Sequence, residues 1–105
     1  MELARLIYSQ TEEFPKSETF GLRMQLRRSA VNVASHIGDG HGRLSDAELR
    51  KSLGTARGSL YELDKQVDLA TGLGFFPQQA TNQVLELATE VAKLINGLIA
   101  VLQTG

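Results

Sequence analysis

The residues Ser45–Gly72, SDAELRKSLGTARGSLYELDKQVDLATG, decide the fold. Ser45-Asp46-Ala47-Glu48 is a capping-box pattern, in which Ser45 and Glu48 satisfy each other's backbone donors and so mark a helix start. From there Leu49, Leu53, Ala56, Leu60, Leu63, Val67 and Ala70 recur at alternating spacings of four and three. That spacing holds one apolar line toward a neighbouring helix whose axis runs almost alongside. The pattern predicts a helix over 45–71, with Gly72 as a C-cap that accepts left-handed backbone. A seam of this length needs long helical partners.

The rest of the chain supplies them. The only prolines, Pro15 and Pro77, punctuate it, and a glycine corner, Gly38-Asp39-Gly40-His41-Gly42-Arg43, adds a third break. Every segment between these breaks has helical rather than alternating apolar spacing. A short first helix is predicted over 2–12, with Leu3, Leu6 and Ile7 on one face, ending ahead of Phe14-Pro15. A second is predicted over 18–37, N-capped by Ser17, with the stripe Leu22, Leu26, Ala30, Val33 and Ile37. A fourth should start at Pro77, where a missing donor does no harm, and run to 103. The fold class is therefore all-α: an antiparallel up-down four-helix bundle in a single domain over 1–105.

The fourth helix carries more apolar surface than one chain can cover. From Val84 to Leu102 its apolar residues spread over an arc of ~200°, about twice the stripe of an ordinary surface helix. Strips left in water in this way mark interfaces. Met24 and Val31 form a second apolar strip on the flank of the second helix, and Gly54 and Gly58 lie one turn apart opposite the seam. Each helical glycine costs ~1 kcal/mol relative to alanine, a cost better tolerated where another backbone comes close. Met24, Val31, Gly54, Gly58, Leu85 and Ile99 are the candidate oligomer-interface residues, and the predicted assembly is a homo-oligomer.

Composition narrows the function classes. The absence of cysteine excludes disulfides, thiolate metal sites and cysteine nucleophiles. No apolar run approaches the ~20 residues of a membrane span, and no secretory pattern opens the chain, so a cytoplasmic location is expected. Net charge is −1, yet residues 23–57 hold seven basic residues against three acidic ones. A basic middle between acidic ends can steer an anionic partner.

Arg23, Arg43, Arg50 and Lys51 are the candidate nucleic-acid contacts, each able to neutralise a phosphate. Arg28, Asp39, Arg43 and Glu62 are instead expected in a polar network between helices, with Glu62 facing Arg28. No aromatic residues interleave with the basic set, so base-stacking platforms are not expected. At the glycine corner, backbone donors, Arg43 and the following helix start could cradle an anion, but no strand and no Gly-Lys-Ser/Thr accompany them. His36, Asp39 and His41 are metal-ligand types without a recognised spacing or a third strong ligand, so neither metal nor cofactor is expected. Ser29, Ser35, Ser52 and Ser59 lack a visible His–Asp relay, and no enzyme is expected.

Several blocks carry a family resemblance. They are Phe14-Pro15, Gly21-Leu22, Gln25-Leu26-Arg27-Arg28-Ser29-Ala30, Ser35-His36-Ile37-Gly38-Asp39-Gly40-His41-Gly42-Arg43 and Ala56-Arg57-Gly58-Ser59-Leu60-Tyr61-Glu62-Leu63. In this order they resemble the four-helix-bundle proteins encoded within 23S rRNA intervening sequences, a superfamily that includes the accessory variability protein of diversity-generating retroelements. The resemblance implies a ring-like homopentamer with a nucleic-acid connection. In the retroelement branch the ring binds a reverse transcriptase and nucleic acid through a basic surface. The chain departs from the family's usual Ser-Asn-Ile-Ala-Glu-Gly at Ser35–Gly40, and its pI of 6.1 is low for a basic ring. The functional expectation is a non-enzymatic oligomeric scaffold that binds RNA or DNA or recruits a nucleic-acid enzyme such as a reverse transcriptase. The alternative is a protein–protein assembly module without nucleic-acid contact.

Overall fold

The computed structural model describes residues 1–38 and 45–104. Its helices are α1 (Glu2–Thr11), α2 (Leu22–Gly38), α3 (Asp46–Gly72) and α4 (Gln78–Thr104), with a 3₁₀ turn at Lys16–Glu18 and no strand among the described residues. No described helix is long and apolar enough to cross a membrane.

α3 begins as its sequence demands: the Ser45 side chain accepts a hydrogen bond from the Glu48 N–H at 3.2 Å. Its seam forms the middle of the core. Leu53, Ala56, Leu60, Leu63, Val67 and Ala70 are all buried, and Leu49 is half-buried at the end of the row. Removing one such leucine from water contributes ~1.5–3 kcal/mol, so this single line outweighs any surface interaction in the molecule. The helix does not close at Gly72, which remains helical. Leu73 follows in right-handed backbone, and Gly74, at φ 80°, makes the reversal. Below it the Phe75 N–H reaches the Ala70 carbonyl at 2.9 Å.

α2 starts later than expected. Pro15, at ψ 145°, leads into the 3₁₀ turn, so Ser17 does not cap α2. The Glu18 carboxylate takes that role, accepting from the Leu22 N–H at 3.0 Å. Gly21 makes the approach possible: a Cβ there would sit 2.8 Å from Glu18 Oε1. Phe14, just upstream, is buried between Phe75 and Phe76, with ring centroids 5.4 and 5.1 Å apart. This aromatic trio ties the α1–α2 connection to the α3–α4 turn.

Cross-helix contacts give the directions. Ser29 meets Gln66 and His36 meets Ser52, so α2 and α3 run oppositely. Arg57 meets Asn96 and Arg50 meets Leu102, which does the same for α3 and α4. α1 packs against α2 and α4. Its 10 residues span about 15 Å, whereas the 27 of α4 span about 40 Å. Gln10 lies beside Ala80 and Gln83, so α1 covers only the first half of α4. Leu94 and Leu98, farther along α4 on the flank that faces α1, are 52% and 40% exposed.

Candidate functional site

The basic residues of α2 gather at its junction with α1. Arg27 is held there on several sides. Its Nε donates to Thr11 Oγ1 at 2.8 Å, and its Nη2 donates to the Tyr8 carbonyl at 3.1 Å and to Glu12 at 3.2 Å. The guanidinium also lies over the Tyr8 ring, 4.5 Å from its centroid. Arg23 shares Glu12 at 3.8 Å, while its own Nε is enclosed without a hydrogen-bond partner. Arg28 is exposed and makes no ion pair among the described residues.

These three arginines line one wall of an open groove of about 510 Å³, with Tyr8 on the α1 side and Met24 and Val31 on α2. Glu12 pairs with Arg23 and Arg27 and leaves Arg28 without an acid among the described residues, so the groove carries a surplus of positive charge over an apolar floor.

The other predicted phosphate contacts lie elsewhere. Arg50 Nη1 donates to the Leu102 carbonyl at 3.0 Å, where a cation complements the negative end of α4. Lys51 is exposed on the outer side of α3. Since His36 meets Ser52, these two residues sit beside the far end of α2, about 20 Å from Arg23 at 1.5 Å per helical residue. The basic set predicted from sequence is therefore split between opposite ends of the bundle. Arg43, Asp39 and His41 lie outside the described residues, and the glycine-corner anion site with them.

The expected Arg28–Glu62 pair does not form: Arg28 projects from the outer side of α2, and Glu62 pairs with Lys65 on its own helix at 3.7 Å. Polar links from α3 to its neighbours instead include Ser29 Oγ to Gln66 at 2.9 Å, Ser52 Oγ to the His36 carbonyl at 3.1 Å and Arg57 to Asn96 at 3.1 Å. Among the described residues no group of three His, Asp or Glu side chains could hold a metal ion.

Of the interface candidates, Met24, Val31 and Leu85 are exposed in the chain. A Cβ at Gly54 or Gly58 would meet no atom within 4 Å, so nothing in the chain itself requires glycine there. Ile99 is different. It is 9% exposed and belongs to the core, because the wheel turns it toward Ile95 rather than outward. The exposed large apolar residues on that part of α4 are Leu94, Leu98 and Val101.

Two features escaped the sequence reading. Phe20, in the turn before α2, is 85% exposed. Asp64 is half-buried on the α4 side of the seam, its Oδ1 enclosed without a partner, and burial raises its pKa above the ordinary carboxylate value. Its position one turn from Leu60 was a legible signal, since that spacing places it on the core flank.

The sequence model of the 23S rRNA-intervening sequence protein family matches residues 1–97. The chain belongs to this family. A comparison with curated proteins finds no significant match. In this 23S rRNA-intervening sequence protein the matched residues take in α1, α2, α3 and α4 as far as Gly97, so the groove, Leu85 and Leu94 fall within the matched region and Leu98 lies one residue beyond it. The four helices and the absence of strands among the described residues agree with the fold class expected from the apolar spacing.

Proposed function

We propose that this protein is a non-enzymatic, self-assembling helical scaffold of the 23S rRNA-intervening sequence family that engages RNA or DNA, directly or by recruiting a nucleic-acid enzyme. The observation that carries the self-assembly is the second apolar side of α4. Ile95 and Ile99 fill the core, while Leu94 and Leu98 on one flank and Leu85 on the other remain in water. A ring-like homo-oligomer would cover them, and exposed apolar rows of this kind are otherwise rare on monomers. The nucleic-acid part is supported by the basic surplus over residues 23–57 and by the family's tie to ribosomal RNA genes.

Light scattering at micromolar concentration tests the assembly, and a particle of 11.5 kDa would end this reading. Titration with structured RNA at rising salt tests the ligand. Binding should fall with a log–log slope of about −0.7 to −0.9 for each phosphate contacted.

A second reading, an assembly module that meets only protein, is favoured by the separation of the basic groups. Arg23 and Arg27 share Glu12, Arg50 is engaged by the end of α4, and the two sets lie at opposite ends of one chain. An assembled particle that leaves RNA unshifted at low salt selects this reading.

A further inference from the structure

The groove between α1 and α2 and the exposed flank of α4 are each incomplete alone, and their residues match each other in spacing and charge. On α4, Glu86, Glu90, Leu94 and Leu98 follow at intervals of four, giving a row that is acidic at its N-terminal end and apolar beyond. Leu87 continues the row on its inner edge, half-buried. On the α2 side, Arg28, Met24 and Phe20 follow at the same interval in the reverse direction, with Val31 three residues beyond Arg28. Met24, Val31 and Phe20 are exposed by 37%, 45% and 85%. Neither Arg28 nor Glu90 has an ion pair among the described residues.

We infer that the α4 flank of one copy docks antiparallel along the α1–α2 groove of a second copy. Setting Glu90 against Arg28 places Leu94 on Met24, because four residues advance both helices by about 6 Å, and carries Leu98 past the start of α2 toward the turn that holds Phe20. The same register sets Leu87 on Val31, three residues to the other side of the charge pair. A parallel docking with the same charge pair sets Glu86 on Met24 and loses the apolar matches. The groove's surplus of positive charge faces the acids of α4, and burial beside the apolar row strengthens that attraction over a fully solvated pair. The contact joins unlike surfaces, so each copy offers one of each and the assembly grows head to tail until it closes. This inference rests on the self-assembly proposed above and adds to it which surfaces meet.

The test uses two variants of the whole chain, Met24→Glu, which spoils the groove, and Leu94→Glu, which spoils the flank. Both residues are exposed, and circular dichroism checks that the helices remain. With the unaltered chain assembled, each variant alone should run at 11.5 kDa in light scattering, and an equimolar mixture should give a particle of two chains. Either variant keeping the unaltered chain's mass, or a mixture that stays at single-chain mass, overturns the docking while leaving self-assembly in place. An unaltered chain that is itself single overturns both. If a variant loses helicity, Arg28→Glu and Glu90→Arg carry the same question. Each should lower the mass, and both in one chain should restore it; failure to restore overturns the register.

Discussion

Arg50, in the first turns of α3, donates through Nη1 to the carbonyl of Leu102 near the end of α4, 3.0 Å away. The last carbonyls of a helix have no partner within it, and a guanidinium supplies both a donor and the charge that the negative helix end attracts. This contact fixes the end of α4 against the start of α3.

Arg50→Ala should therefore act on stability more than on any nucleic-acid ligand. A charged, largely exposed contact of this kind contributes about 1 kcal/mol, and its loss should fray the end of α4. Lys51→Ala removes a charge with no side-chain partner among the described residues, so stability should hold. Urea unfolding of the two variants, beside an RNA titration against salt, separates the roles. If Lys51 touches a phosphate, only its variant lowers the salt slope, by roughly one contact's worth.

Arg27 should be the most costly arginine to lose. Its guanidinium bonds Thr11, the Tyr8 carbonyl and Glu12 while lying over the Tyr8 ring, and it joins α1 to α2. Glu12 is 69% exposed, so that ion pair alone adds little. The half-buried bond to Thr11 carries most of the effect, with the exposed bond to the Tyr8 carbonyl and the ring contact adding to it, and Arg27→Ala should destabilise the chain by about 2 kcal/mol. Arg27→Lys should recover little of this, because an ammonium lacks the planar fork that reaches several acceptors at once. Glu12→Ala should change the unfolding midpoint only slightly.

The bundle was legible because its determinants are periodic or local. The capping box at Ser45 and the seam from Leu49 to Ala70 set α3 without reference to the rest of the chain. The α2 start was not, since a cap on Leu22 by Glu18 depends on the 3₁₀ turn that brings the carboxylate round, and Ser17 looked equally suitable. The site was harder still. Whether an arginine is free or engaged depends on which carbonyl or acid a distant helix presents, as Leu102 does for Arg50 and Glu12 for Arg23. Ile99 was misplaced because a 200° apolar arc does not say which residues the core takes; the packing of α4 on α3 and α1 decides that.

Asp64 gives the chain a pH dependence of definite sign. Burial raises its folded-state pKa above the ordinary value of 3.8, so folding favours the protonated acid. Below the unfolded value the carboxyl is neutral in both states and nothing is lost. As pH rises from there through the folded value, the native state must hold an ionised carboxylate with an enclosed, unpartnered oxygen, and stability falls. Asp64→Asn removes the charge at similar size. It should stabilise the chain near neutral pH, and the gain should vanish below the unfolded value. Urea midpoints of the two proteins across that range check it, and parallel curves would mean that Asp64 finds a partner in solution.

Gly54 and Gly58 separate the needs of the chain from those of an assembly. Within one copy a methyl group at either position meets nothing within 4 Å, so alanine brings helix propensity without a clash. Each Gly→Ala change should raise the stability of the single chain by up to ~1 kcal/mol, read at a dilution where copies are separate. If the outer face of α3 lies close to another backbone in the assembly, the same methyl groups intrude there. Gly54→Ala with Gly58→Ala should then give a more stable chain of lower assembled mass. The two readouts move in opposite directions only if another chain approaches, since a purely intramolecular effect shifts the melting temperature and leaves the mass alone. A double variant that melts higher and keeps the full mass removes the outer face of α3 from the interface.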